Sequence, residues 1–305
     1  MTSAAAGSLT RRRPFSERVI EVLLFLSALL GVVTTIGIVL VLLFETLEFF
    51  REVSPIDFFT GTFWSASIQP RAWGVLSLVS GTVLVAGISL VIAVPLGLLS
   101  AVLLSDYAAP RVRTLIKPIL ETIAGIPTIV LGFFAVNFIS PQLLIPLLGR
   151  GNIGTFSALA GGIVVGLLIT PLIASISEDA MRAVPRGMRE GAYAMGATKF
   201  EVVRKVVFPA AISGIMASII LAMSRAIGET MAVLLAVGTK PQFTFDPTES
   251  VQTMTAFIAV ISTGETPQGS IEFKSLFAVA ATLFAMTLAL SLASNWVVRK
   301  YRTAY

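Results

Sequence analysis

The sequence predicts an all-α membrane protein with six transmembrane helices. Three observations carry this. First, 55% of the 305 residues are hydrophobic and only 13% are charged, with a mean hydropathy of +0.90, whereas soluble domains carry about 25% charged residues. Second, six apolar runs reach the roughly 20 residues that cross a bilayer as a helix. Third, the basic residues gather in alternate connections between those runs. The chain has neither cysteine nor histidine, which excludes disulfides, thiol catalysis, Cys/His zinc sites and a Ser/His/Asp triad. A net charge of +5 is compatible with nucleic acid binding, but its distribution fits membrane orientation instead.

Taken in order, residues 1–18 are small and polar with Arg11, Arg12, Arg13 and Arg18, and read as a disordered cytosolic tail. Val19–Phe44 is too long for a signal-peptide core of about 7–15 residues and reads as the first span. Residues 45–72 form an extracytoplasmic loop, in which Trp64, like Trp73 just after it, suits a membrane interface. Residues 73–301 form the main core. Within it, Val75–Leu104 carries no charge; a straight helix of that length runs about 45 Å, so it must tilt or kink, with Pro95 the expected kink. After a basic loop (Arg111, Arg113, Lys117), Thr122–Leu148 is uncharged but interrupted by Pro127, Pro141 and Pro146; the third span is expected near 118–139, with a re-entrant or surface piece after it. Phe156–Ile176, with Pro171 inside, is the fourth span, Ala210–Val237 the fifth and Leu276–Val298 the sixth. Recurrent small residues (Gly161, Gly162, Gly166; Ala210, Ala211, Gly214, Ala217) are expected to bring helices close together.

Six spans put both termini on one side. Of 22 basic residues, sixteen fall in the N-terminal tail, the 105–117 loop, the 177–209 segment and the C-terminus. Five (Arg51, Arg71, Arg150, Lys240, Lys274) fall on the other side. The positive-inside rule then places both termini and the 177–209 segment in the cytosol.

That segment reads as a hairpin of two short helices. Pro185 opens the first, since proline is tolerated in a first turn. Gly196 ends it, and Thr198 with Glu201 has capping-box spacing for the second. Gly191 and Gly196 have P-loop spacing, but Ala197 stands where the phosphate-binding lysine belongs. The hairpin therefore does not bind ATP by this motif, and any ATP hydrolysis belongs to another chain.

Two charges remain inside a span. Arg225 and Glu229 are one turn apart in the expected fifth helix and can pair there. A membrane charge costs at least about 2.5–3.5 kcal/mol at the bilayer centre, so the pair reads either as a substrate-pathway site, with Arg225 meeting an anion, or as a structural ion pair locking two helices. Gly125-Ile126-Pro127-Thr128 and Thr170-Pro171 interrupt spans, which makes Thr128 and Thr170 pathway candidates; plain kinks are the alternative. Glu121 reads as interfacial, and no residue is assigned a catalytic or metal-binding role.

The order Glu190-x-Ala192-x-x-x-Gly196, nine residues, then Val206-x-Phe208-Pro209 resembles the "EAA" loop of ATP-driven importer permeases. Gly191 stands for its first alanine, and Val206 and Phe208 for its usual Ile and Leu. From Trp73 to Tyr301 the chain resembles a permease of the binding-protein-dependent importers, with a type I (MetI-like) core. GIPTIVLGFFA at 125–135, TPLIASISEDAMRAVP at 170–185 and SRAIGETMAV at 224–233 resemble the phosphate-uptake permeases, of the PstC type rather than the PstA type. The resemblance implies a coupling role for Glu190, Gly191, Ala192, Tyr193, Met195, Gly196 and Ala197, which in that family insert into an ATPase subunit. It also implies a second permease, an ATPase pair carrying ATP and magnesium, an external phosphate-binding protein, and phosphate import by alternating access. The alternatives are a permease for another oxyanion such as sulfate or molybdate, or an ion channel or membrane enzyme with no ATPase partner.

Overall fold

The computed structural model describes residues 15–66, 69–149 and 151–301. Arg11, Arg12, Arg13, Arg150 and Arg302 of the charge count lie outside the described residues, as does most of the 1–18 tail. Six helical stretches among the described residues are long and apolar enough to cross a membrane.

The first helix, α1 (Phe15–Glu52), starts within the expected tail and runs past Phe44. Its extra turns are held by their own side chains. Phe49 is buried and meets Phe50, Phe58 and Trp73 edge-on at 5.4–5.7 Å. On the same turns Glu48 and Glu52 receive Lys274 at 3.1 and 3.3 Å. A short helix α2 (Pro55–Thr60) follows, then two-residue strands β1 (Trp64–Ser65) and β2 (Ala72–Trp73), paired antiparallel. The interfacial expectation fails for Trp64. It is 2% exposed and packs edge-on against Trp73 and Phe257, because loop and helix ends fold over it as an aromatic cap.

Helix α3 (Leu76–Val102) continues through Pro95 and on through a widened, π-type turn at Leu103–Tyr107. The third span departs from expectation. Helix α4 (Pro110–Ala124) buries none of its residues and carries Arg111, Arg113 and Lys117 alongside exposed Val112, Leu115 and Ile119. It is amphipathic and lies outside the span. Pro127 disfavours helical backbone at the residue before it, so the chain breaks and restarts as α5 (Thr128–Phe134). That helix runs through a widened stretch at Ala135–Leu144 into α6 (Ile145–Leu148). The span is thus Thr128–Leu148 rather than 118–139, and the segment around Pro141 is its outer half rather than a separate piece. Wide turns spare the backbone contact that a proline ring would otherwise violate.

Helix α7 (Ala158–Arg182) crosses α3 at the centre of the core, and the Ser157 Oγ caps its start by accepting from the Ala160 N–H at 3.2 Å. Small residues let the two backbones meet. A Cβ on Gly97 would lie 2.7 Å from Ile173 Cβ and 3.2 Å from the Thr170 carbonyl oxygen, and one on Gly166 would lie 3.0 Å from the Ser89 carbonyl oxygen. Those neighbours are largely backbone or branched carbon and cannot swing away. Gly97→Leu is therefore expected to destabilise the chain by about 1–3 kcal/mol or more, read as a lowered thermal transition in detergent. An unchanged transition would refute this contact.

The hairpin comprises α8 (Arg186–Ala194) and α9 (Lys199–Val202), and α9 runs through a widened turn at Val203–Val207 into α10 (Phe208–Gly228). Here a further expectation fails: the fifth span ends at Gly228 instead of running to Val237. Glu229 takes an extended conformation (φ −67°, ψ 131°), and α11 (Met231–Val237) starts afresh. The chain returns through α12 (Met254–Thr263) to the long last helix α13 (Ile271–Tyr301).

Candidate functional site

The hairpin's shape is written into its turn. Gly196 has φ +82°, the left-handed conformation that favours glycine. The Gly196 N–H donates to the Tyr193 carbonyl at 2.9 Å and the Ala197 N–H to the Ala192 carbonyl at 3.2 Å. These two bonds are the Schellman pair that closes a helix C-terminus. Immediately after it, Thr198 and Glu201 form the expected capping box: Thr198 Oγ1 accepts from the Glu201 N–H at 3.4 Å, and Glu201 Oε2 accepts from the Thr198 N–H at 3.0 Å. Gly196→Ala is expected to cost about 1–2 kcal/mol from the left-handed backbone alone. Gly196→Pro costs more, since it also removes the N–H given to Tyr193.

The tip so built presents apolar surface to its surroundings. Met195 is 88% exposed, Tyr193 and Phe200 are exposed, and so are Glu190, Gly191 and Gly196. Ala192 and Ala197 turn the other way, against a buried cluster that includes Met181, Val184 and Val202. The tip is thus an exposed apolar patch on an otherwise basic hairpin.

The hairpin is tied to the spans by charge. Glu178, near the end of α7, is 0% exposed, yet Arg113 Nε and Lys117 Nζ each approach it at 2.8 Å and Arg182 Nε at 3.8 Å. Lys117 Nζ also reaches Asp179 Oδ1 at 2.7 Å. Burial alone would lower the Lys117 pKa, but hydrogen bonds and charge from Asp179 and Glu178 outweigh it and the net shift is upward. Arg189 of α8 pairs with Asp106 and donates to the Met181 carbonyl at 2.7 Å, while Lys199 lies 4.8 Å from the centre of the Tyr107 ring. Sequence reasoning left Glu178 without a role. A signal was there: Ala174, Ser177, Glu178 and Met181 lie on the buried stripe of α7, so a carboxylate stood in an apolar pattern, four residues before Arg182.

Arg225 and Glu229 do not form the expected pair. With the helix ended at Gly228, Glu229 leaves the Arg225 face and is 9% exposed; its Oε1 accepts from the Ala232 N–H at 3.4 Å, over the start of α11, and its carbonyl accepts from Thr255 Oγ1 at 2.7 Å. A carboxylate beside the unpaired N–H groups of a helix start is held by them and by the helix dipole. Arg225 is exposed in the last turn of α10 rather than mid-span, and among the described residues it has no ion-pair or hydrogen-bond partner. Thr128 is half-buried at the start of α5. Thr170 gives its hydroxyl hydrogen to the Gly166 carbonyl of its own helix at 2.7 Å. Among the described residues no hydrogen bond joins any two of Arg225, Glu229, Thr128 and Thr170.

A multi-pass helical core thus carries a capped, apolar-tipped hairpin at one end. The chain belongs to the binding-protein-dependent transport system inner membrane component family, whose model matches residues 93–303. It is 34% identical over 263 residues to the probable ABC transporter permease protein YqgH of Bacillus subtilis, covering 85% of this chain and 84% of that protein. It is 31% identical over 288 residues to the phosphate transport system permease protein PstC 1 of Mycobacterium bovis, covering 83% and 85%. Its fold matches a chain of a bacterial alginate ABC transporter, solved in complex with an alginate pentasaccharide-bound periplasmic protein, at a TM-score of 0.66 and 14% identity, over 96% of this chain and all of that one. The type I importer-permease fold expected from the sequence is therefore the fold of this chain, and it is a permease subunit of an ABC importer in a bacterial-type inner membrane.

Proposed function

We propose that this chain moves inorganic phosphate by alternating access, driven through its hairpin by a separate ATPase subunit that binds ATP and magnesium. The observation that carries the coupling role is the hairpin itself. Its exposed apolar tip (Tyr193, Met195, Phe200) is rigidly capped at Gly196 and Thr198, and its first helix is tied through Arg189 to Asp106 at the end of the second span. A push on the tip is thereby delivered to α3 and, through the Glu178 cluster, to α4 and α7. Glu190, Gly191, Tyr193, Met195 and Gly196 form the docking element, with Ala192 and Ala197 packed behind it. Both termini lie in the cytosol with the hairpin, as the basic-residue count requires.

The likeness to a phosphate permease supports phosphate as cargo. Arg225 supports an anion, since its guanidinium is exposed and unneutralised by Glu229. The working assembly is this chain, a second permease, two ATPase subunits and an external phosphate-binding protein. The test is radiolabelled phosphate uptake in cells lacking this chain. Wild type is expected to restore uptake, excess sulfate or molybdate to leave it unaffected, and Gly196→Pro to restore little while an ATPase subunit no longer co-purifies. Full restoration by Gly196→Pro would remove the coupling role; competition by sulfate or molybdate would reassign the cargo.

A further inference from the structure

Beside the hairpin, at the same end of the molecule, lies a cavity of about 370 Å³ lined by Arg113, Arg182, Arg186 and Arg189. We propose that it binds a phosphate-bearing anion, either the headgroup of an anionic lipid or free inorganic phosphate. Four guanidiniums around one hollow are disfavoured unless carboxylates or a bound anion neutralise them. The carboxylates do so incompletely. Among the described residues, Arg113, Lys117, Arg182 and Arg189 pair with Glu178, Asp179 and Asp106 while Arg186 pairs with none, so five cations meet three carboxylates, an excess of two positive charges. Three of the four arginines are held in place by those contacts and by the Met181 carbonyl. The fourth, Arg186, has no ion-pair or hydrogen-bond partner among the described residues.

Local backbone adds to the field. The cavity rim includes Ala108 and Pro110 at the start of α4 and Arg186 at the start of α8, and neither helix start has a side-chain cap. Two open helix starts thus add partial positive charge to an already basic hollow. Helix α4 also exposes Val112, Leu115 and Ile119. An amphipathic helix with that stripe lies in the membrane interface, which sets the cavity at headgroup depth and within reach of free phosphate.

The mechanical consequence follows from the connections. An anion in the cavity bridges Arg186 and Arg189 on the hairpin to Arg113 on α4, the helix that leads into the Gly125–Pro127 break before the third span. Occupancy stiffens that link, so the ligand acts on coupling rather than on passage.

The experiment uses the full-length chain with whatever subunits co-purify, in two arms. In the first, nanodiscs of phosphatidylcholine with or without phosphatidylglycerol are read by native mass spectrometry for retained lipid. In the second, purely phosphatidylcholine nanodiscs are titrated with inorganic phosphate, with protection of Arg186 from phenylglyoxal read peptide by peptide. Arg113 and Arg182, still present in Arg186→Gln, are read in the same digest. Arg186 is exposed and unpartnered, so Arg186→Gln leaves the fold intact. Arg204→Gln, exposed on the same hairpin but outside the cavity, is the control. Loss of one charge-assisted contact is expected to weaken binding about tenfold in Arg186→Gln and not in Arg204→Gln. Retained phosphatidylglycerol identifies the headgroup, and protection by phosphate identifies the free anion. Protection that survives in Arg225→Ala separates this cavity from the transport pathway. Equal behaviour of the Arg186 and Arg204 variants in both arms overturns the proposal, whatever becomes of phosphate uptake.

Discussion

Arg225→Ala is expected to abolish phosphate uptake in cells lacking the wild-type chain, while the protein still reaches the membrane and melts within about 1 kcal/mol of wild type. The stability side follows from position. Arg225 sits in the last turn of α10, exposed, with no side-chain partner among the described residues. Its structural contribution is a cation at a helix C-terminus, worth about 0.3–1 kcal/mol. The transport side follows from chemistry. Glu229 is turned away over the start of α11, so an anion on the proposed pathway would meet an open guanidinium. Arg225→Lys separates the two roles. It keeps the charge that favours the helix end but loses the planar fork that grips an oxyanion at two points. Lysine is expected to preserve melting and to recover only a minor part of uptake. Normal uptake in the alanine variant would sink the pathway role, and a large loss of melting in both variants would make the residue structural.

Glu178→Ala is expected to give the largest loss of stability among single side-chain removals at the hairpin end. Glu178 is fully buried and receives Arg113, Lys117 and Arg182. Removing one partner from a fully buried charge cluster costs about 3–5 kcal/mol. The three cations here are 23–44% exposed and can turn partly to water, so the loss is expected at or just below that range, about 2–3 kcal/mol. Asp179 is the comparison: at 62% exposure its contact with Lys117 is a surface pair, and Asp179→Asn is expected to cost about 1 kcal/mol or less. Thermal unfolding of the two variants in one detergent checks both figures. Equal losses would mean that burial of Glu178 does not set the energetics. Because the cluster joins α4 to α7 beneath the hairpin, Glu178→Ala is also expected to lower uptake in step with its loss of folded protein.

The sequence was most legible where a single local rule acts. Pro185, Gly196 and the Thr198/Glu201 pair specify the hairpin through backbone geometry and capping bonds within a few residues, and the structure has the helix ends and the cap where the residues placed them. Six apolar runs specify six spans for an equally local reason, the cost of leaving polar backbone unpaired in lipid. Gly166 likewise announced a close helix crossing, whereas Gly97 on the facing helix shows its role only in the packing.

What the residues did not announce depends on partners far along the chain. Pro127 could have kinked a span or started one, and only the exposed face of α4 decides that it starts one. Arg225 and Glu229 have the spacing of a helical pair, but pairing needs an unbroken helix between them. The carbonyl of Glu229 is taken by Thr255 and its carboxylate by α11, so a contact 26 residues away overrides a four-residue rule. Trp64 and Glu178 share that lesson: one reads as interfacial and the other has no role in the sequence until elements from elsewhere in the chain close over them. Apolar runs and capping thus set how many segments are long and apolar enough to cross and where the hairpin turns, because those energies are set within one or two helical turns. Which charges are left open and which are neutralised was decided by packing, because a charge is satisfied by whatever the fold brings within about 4 Å, at any distance along the chain.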